Sequence, residues 1–315
     1  MTSLNQHTLQ LQHGERRFTT FSNYSESEVF NTSKSRKWKR VIFLLHGFPD
    51  NNTTYNGIWP SLLEAFADDR VLLLAPLMRG YETTSLGPDK EYRQSDCASD
   101  VKAWIDSLEP GSIPVHLVGH DWGACVAYKT ASMYPDSLTS IACMAIPYLR
   151  KNRLWEYAFK VPIQLFYSSY MVTMQRASWY RPRFAQSGPD SYLDGLWKYW
   201  SPGWNYAQHE LESVRNTLSQ KGVIDGATAY YRCVFNPLNI RESLWLIDFE
   251  KVPTMIVGGE NDHCMTSTLF KMDKENLKDT KNVVVKTVPN AGHFLQRESP
   301  KVVAELIIDW IQRRH

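Results

Sequence analysis

No apolar run in this sequence approaches the roughly 18 residues of a helical membrane span. The opening segment MTSLNQHTLQ likewise lacks the basic and apolar regions of a secretory leader, so a cytoplasmic setting is expected. Charge of one sign is scarce: 35 Lys and Arg stand against 33 Asp and Glu, which gives no electrostatic reason to expect a nucleic-acid partner. The densest basic run, SKSRKWKR from Ser33 to Arg40, reads as a solvated approach to the next strand. Cysteine is sparse too. Cys97, Cys125, Cys143, Cys233 and Cys264 are scattered, odd in number and without CxxC or Cys/His spacing, which argues against a disulfide framework and a metal site. Internal repeats and low-complexity tracts are missing.

What is present is an alternation of buried-looking strands and amphipathic helices. HTLQLQ and RFTTFS come first, followed by RVIFLL (Arg40 to Leu45), apolar on both faces as a central strand must be. Further runs are RVLLLAP (Arg70 to Pro76), IPVHLVG (Ile113 to Gly119), LTSIACMAIP (Leu138 to Pro147), VPTMIVGG (Val252 to Gly259) and NVVVKTVP (Asn282 to Pro289). Between them, DCASDVKAWIDSL (Asp96 to Leu108) places Val101, Trp104, Ile105 and Leu108 on one stripe. SPKVVAELIIDWIQRR opens with Ser299 as N-cap and Pro300 at the first helical position. The pattern predicts an α/β fold with a mostly parallel, eight-stranded sheet flanked by helices. From Tyr148 to about Leu246 the rhythm breaks into a Trp- and Tyr-rich stretch with turn signals such as SPGW and no clear buried strand. This divides the chain into a core over 1–147 and 247–315 and a helical lid over 148–246.

VGHDWGACVAY, from Val118, runs a strand through a Gly-rich corner into a helix and sets Asp121 at the corner. Gly119-His120-Asp121-Trp122-Gly123 has the form of a nucleophile elbow, where a strained turn lifts the central side chain above the strand ends at a helix N-terminus. A helix-capping aspartate is the plainer alternative. Partners tilt the balance. His46-Gly47-Phe48-Pro49 follows the third strand, where such folds donate an oxyanion-hole N–H, and Asp262 and His293 each follow a later strand. Nucleophile, acid and base thus fall at strand carboxyl ends, where sites of open α/β sheets gather.

Through HGFP, MRGY, GHDWG, GGEND and NAGHF the chain resembles the α/β-hydrolase superfamily over nearly its full length, and within it the soluble epoxide hydrolases. The resemblance implies two lid tyrosines that hydrogen-bond an epoxide oxygen. One matches Tyr231 in AYYRCVF; the other matches Tyr170 in QLFYSSYMVTMQ, which ends at Gln175 and in which Tyr167 is a rival. It also implies the chemistry. A carboxylate suits attack at saturated carbon, so Asp121 opens the ring to an alkyl ester while Tyr170 and Tyr231 donate to the leaving oxygen. His293, oriented by Asp262, then activates water against the ester carbonyl, whose oxyanion meets the N–H groups of Phe48 and Trp122. No metal or organic cofactor is called for, and the implied partner is a small apolar epoxide.

Haloalkane dehalogenases, which carry a similar HDWG elbow, are the alternative. Their asparagine-bearing members hold halide from the position of Phe48, which has no side-chain N–H. A non-catalytic binding protein on this fold is a third possibility, although such proteins usually lack a triad member. The chain departs from the family pattern in the long DNNTTYNGIWPSLLE after HGFP, in Leu77 and Glu82 of APLMRGYETTS, and in Arg176 after Gln175. These changes are expected to bear on the substrate cavity more than on the chemistry.

Overall fold

Strand β3 (Arg40–Leu45) is buried along its whole length, as an unbroken apolar run demands. The same holds for β4 (Val71–Pro76), β5 (Val115–His120), β6 (Ser140–Met144) and β7 (Thr254–Gly259). At the margins, β1 (His7–His13), β2 (Arg16–Ser22) and β8 (Val283–Val288) alternate or expose residues. The computed structural model describes residues 5–30, 37–149, 159–239, 242 and 244–314. The start of the basic run (Ser33 to Arg36) and Trp155 of the aromatic stretch lie outside them.

All eight strands join one sheet in the order β1-β2-β4-β3-β5-β6-β7-β8. From β4 to β8 every neighbouring pair is parallel; β1 and β2 pair antiparallel, and β2 joins β4 antiparallel. Side chains alternate across the sheet. Val41, Phe43 and Leu45 enter the core on one face, while Ile42 and Leu44 enter that on the other. Helices α1 (Gln94–Leu108) and α2 (Trp122–Met133) cover the first face, with Val101, Trp104, Ile105 and Leu108 all buried. The opposite face packs under the helix Pro300–Gln312, which begins at Pro300 as its sequence predicts. Ser299 sits at the N-cap, but its hydroxyl makes no capping bond.

Between β6 and β7 the described residues contain helices and no strand. In chain order these include α3 (Ile163–Tyr167), α4 (Tyr170–Thr173), α5 (Ala177–Phe184), α6 (Tyr192–Trp200), α7 (Gln208–Leu218) and α8 (Val223–Phe235). Asp273 pins the chain where it leaves the sheet, accepting from the N–H groups of Tyr148 (2.5 Å) and Leu149 (2.9 Å). The segment after HGFP is a buried clasp. Asn51 Nδ2 donates to Ser213 Oγ (3.1 Å) and Thr217 Oγ1 (2.9 Å) on α7, while Asn52 Nδ2 donates to the Ala75 carbonyl (3.1 Å). Glu82 ties β2 in place, accepting from Thr19 N (2.6 Å) and Oγ1 (2.7 Å).

Candidate active site

The sheet order reverses between β3 and β5, because the chain runs outward from β3 to β4 on one side and from β5 to β6 on the other. Loops leaving two such adjacent strands diverge and open a crevice between them. Leu45 at the end of β3 stands beside Gly119 of β5, so the HGFP loop and the elbow meet there. The approach is close. A side chain at Gly123 would come within 2.0 Å of the Leu45 carbonyl oxygen, and one at Gly47 within 2.4 Å of Asp121 Cβ.

Asp121 occupies the elbow with φ 50° and ψ −119°, a backbone region few non-glycine residues adopt. It precedes the first residue of α2 but does not cap that helix with its side chain, which disposes of the plain capping alternative. Its Oδ1 accepts from the Phe48 N–H at 2.7 Å instead. The Trp122 amide, the other expected oxyanion donor, is the first N–H of α2 beside it. Both Asp121 and Phe48 are buried.

His293 lies across from Asp121, its Nε2 3.7 Å from Oδ2, which is within ion-pair reach and too long for a hydrogen bond. Its Nδ1 meets Asp262 Oδ2 at 3.0 Å. Asp262 also closes its own turn, with Oδ1 accepting from the N–H groups of Cys264 (2.6 Å) and Met265 (2.8 Å). Burial alone would lower the His293 pKa, but Cys264 and the Asp262 and Asp121 carboxylates around it raise it well above the ordinary imidazole value.

Two histidines, His46 and His120, brace this floor. His46 Nε2 accepts from the Met78 N–H at 3.0 Å, which leaves Nδ1–H to donate to the Gly47 carbonyl at 3.1 Å. His120 Nε2 donates to the His293 carbonyl at 2.9 Å and so ties the base loop to the elbow. Burial pushes both imidazoles down to about 4, which keeps them neutral.

Above the floor stands the insert. Tyr231, on α8, is buried, and its ring lies 5.1 Å from that of Trp122 and 5.3 Å from that of Phe48. Its hydroxyl has no hydrogen-bond partner in the described structure. Tyr170 stands 5.6 Å from Tyr231 and 4.7 Å from Trp200, ring to ring. Tyr167 points elsewhere, stacked on His263 at 5.1 Å and edge-on to Tyr199 at 6.1 Å. Burial, reinforced by the nearby Asp121 charge, raises both the Tyr170 and Tyr231 phenols well above their ordinary value. Gln175 donates to the Met171 carbonyl (3.0 Å), and Arg176 is exposed beside Trp179.

Two contributors escaped the sequence reading. The Trp200 carbonyl accepts from the N–H groups of both His263 and His293, each at 3.2 Å, so the insert ties the loops of Asp262 and His293 together. No motif announces a backbone acceptor. Cys264 Sγ lies 3.6 Å from the Tyr170 hydroxyl; its place two residues past Asp262 was a signal available in the sequence.

A carboxylate on a strained elbow, a histidine–aspartate pair and an amide donor thus meet at adjoining strand ends. A model of the alpha/beta hydrolase family matches residues 42–306, and the chain belongs to that family. Among curated proteins it is similar to Epoxide hydrolase 4 of Homo sapiens, at 29% identity over 280 residues that cover 85% of this chain and 71% of that protein. It is also 25% identical over 306 residues to Epoxide hydrolase A of Mycobacterium tuberculosis, covering 86% and 90% of the two chains. Among solved structures, potato (Solanum tuberosum) epoxide hydrolase I superposes with a TM-score of 0.74 at 20% identity, over 98% of this chain and 99% of that one.

Proposed function

We propose that the protein is an epoxide hydrolase that converts an apolar epoxide to a vicinal diol through an alkyl ester on Asp121. The observation that carries this reading is the pairing of the Asp121 carboxylate with two facing phenols, one of which, Tyr231, has a buried hydroxyl without a partner. The names of the curated relatives point the same way.

Asp121 Oδ2, free of the Phe48 amide, attacks a ring carbon from behind the carbon–oxygen bond, which breaks and leaves its electrons on oxygen. That alkoxide is a poor leaving group, and the phenols of Tyr170 and Tyr231 donate to it as charge develops. Their raised pKa values keep them protonated for that task. Esterification removes the charge on Asp121, and with it one of the influences that raise the His293 pKa, which leaves the imidazole a readier base for water. His293 takes a proton from water, the oxygen adds to the ester carbonyl, and the bond from that carbonyl carbon to the diol oxygen breaks as His293 returns the proton to it; the reformed Asp121 carboxyl gives its own proton back to the phenol that lost one at ring opening. Asp262 fixes the imidazole through Nδ1. The oxyanion forms where Oδ1 already meets the Phe48 N–H, with the Trp122 N–H as second donor. Residues 148–246 act as the lid over this floor, and the chemistry requires no cofactor.

A halide-displacing enzyme is the second reading, since the buried indole N–H groups of Trp122 and Trp200 also lack partners. Those of Trp59, Trp104 and Trp310 in the core also lack partners, so the feature does not single out the site. Incubating the purified chain with terminal apolar epoxides and, separately, with 1-chloroalkanes decides between the two. Diol formation without chloride release supports the proposal, and chloride release without diol overturns it.

A further inference from the structure

The short helices α3 and α4 are amphipathic in an inverted sense. Their inward stripe is partly polar: Gln164 donates to the Cys264 carbonyl (2.7 Å) and accepts from the Thr266 N–H (3.0 Å), Tyr167 stacks on His263, and Tyr170 meets Trp200. The spacing 164, 167, 170 and then buried Met174 is that of one helical face. The outward side is apolar where a solvated helix would be charged. Leu165 is 66% exposed, Phe166 65%, Val172 53%, Ile163 45% and Trp179, on α5, 37%. Bulky side chains this exposed within so short a stretch mark a contact surface, whereas isolated ones are ordinary.

Charge identifies the occupant. From Val161 to Pro189 the chain has no Asp or Glu but carries Arg176, Arg181 and Arg183, all exposed. Arg181 is matched by Asp225 at 2.8 Å. The other two flank Trp179: the Arg176 guanidinium lies 4.9 Å from its ring centre, and Arg183 donates to its carbonyl at 2.7 Å. Exposed Phe, Leu and Trp beside unmatched arginines suit the boundary of an anionic bilayer, where apolar groups enter the acyl edge and guanidinium groups meet lipid headgroups. A second copy of the chain would instead bring arginines against arginines.

We propose that the outer face of residues 163–183 docks on anionic membrane surfaces, with the insert lying against the lipid while the sheet remains in water. This rests on the surface alone and not on the chemistry proposed for the site beneath it. Flotation of the full chain with vesicles of about three parts phosphatidylcholine to one part phosphatidylserine provides the test. The chain is expected to float with these vesicles, to float poorly with phosphatidylcholine alone, and to release in about 0.5 M salt. Leu165→Asp with Phe166→Asp, and separately Arg176→Glu with Arg183→Glu, should each weaken binding about tenfold while the melting temperature and gel-filtration volume stay unchanged. No binding to the anionic vesicles, or binding indifferent to both pairs of substitutions, overturns the proposal. So does a dimer in solution that the Leu165/Phe166 pair dissolves, because the occupant would then be another copy of this chain.

Discussion

The two halves of the site are built differently. Its floor is held by hydrogen bonds to backbone: the Phe48 N–H meets the Asp121 carboxylate, the Cys264 N–H the Asp262 carboxylate, the Asn261 N–H the Ala291 carbonyl, and the His293 carbonyl the His120 imidazole. Its roof is held by side chains, with Tyr170 and Tyr231 fixed by ring packing on Trp200, Trp122 and Phe48 and by the Gln164 contact to the acid loop. A backbone-built floor keeps a nucleophile and its base in register for a reaction that tolerates little displacement. A side-chain-built roof can present donors to substrates of different shape. The floor is therefore expected to carry the chemistry, and the roof to carry leaving-group assistance and selectivity.

Substitutions separate the halves by size of effect. Asp121→Ala should abolish diol formation by about 10⁴-fold or more, with the circular dichroism spectrum intact. Tyr231→Phe should lower kcat about 100-fold, yet leave the melting temperature unchanged because its hydroxyl has no partner to lose. If melting fell while kcat held, Tyr231 would be packing and not chemistry.

A third substitution probes the clasp joining floor to roof. Arg297 bonds Asp50 from both Nε (3.1 Å) and Nη2 (2.7 Å) and Glu210 of α7 from Nη1 (3.2 Å). Asp50→Asn leaves that buried guanidinium short of its main partner and should cost about 3–5 kcal/mol in denaturant unfolding.

Acid should loosen the floor as well. His46 and His120 are held near 4 against an ordinary 6.5, so between those values the unfolded chain binds protons that the folded chain refuses. Stability is present above that window and is lost as pH falls through it, by roughly 3 kcal/mol per histidine at most. Asp273, raised to about 6 by burial, and Glu298, also raised by burial, act in the opposite direction and reduce the slope that the two imidazoles set. Urea midpoints at successive pH values check the net slope, and a chain more stable at pH 4 than at pH 7 would contradict it.

Much of the floor was legible in the sequence because strands buried on both faces leave an unbroken apolar run, and the polar residues that interrupt the ends of such runs stand out. RVIFLL coincides with β3, and the residues after β3, β5 and β7 include Phe48, Asp121 and Asp262. Asp121 with its flanking glycines could be read because only a strained, tightly packed corner needs glycine at both 119 and 123. The roof was less legible. Short helices with mixed faces have weak periodicity, and only the structure separates Tyr170 from Tyr167 by what each ring touches. The bonds of Glu82 to β2 and of the DNNTTYNG segment to α7 were not legible, since pairings between residues so far apart in the chain leave no local pattern. The role of the Trp200 carbonyl belongs to the backbone and could not be read from residue type.

The account stands or falls on where the oxygen of water arrives first. In a single turnover with excess enzyme in heavy-oxygen water, mass spectrometry should find the label in the peptide bearing Asp121 and unlabelled diol in solution. Label in the first-formed diol, with an unlabelled Asp121 peptide, would mean that water attacks the substrate carbon directly and that Asp121 never becomes an ester.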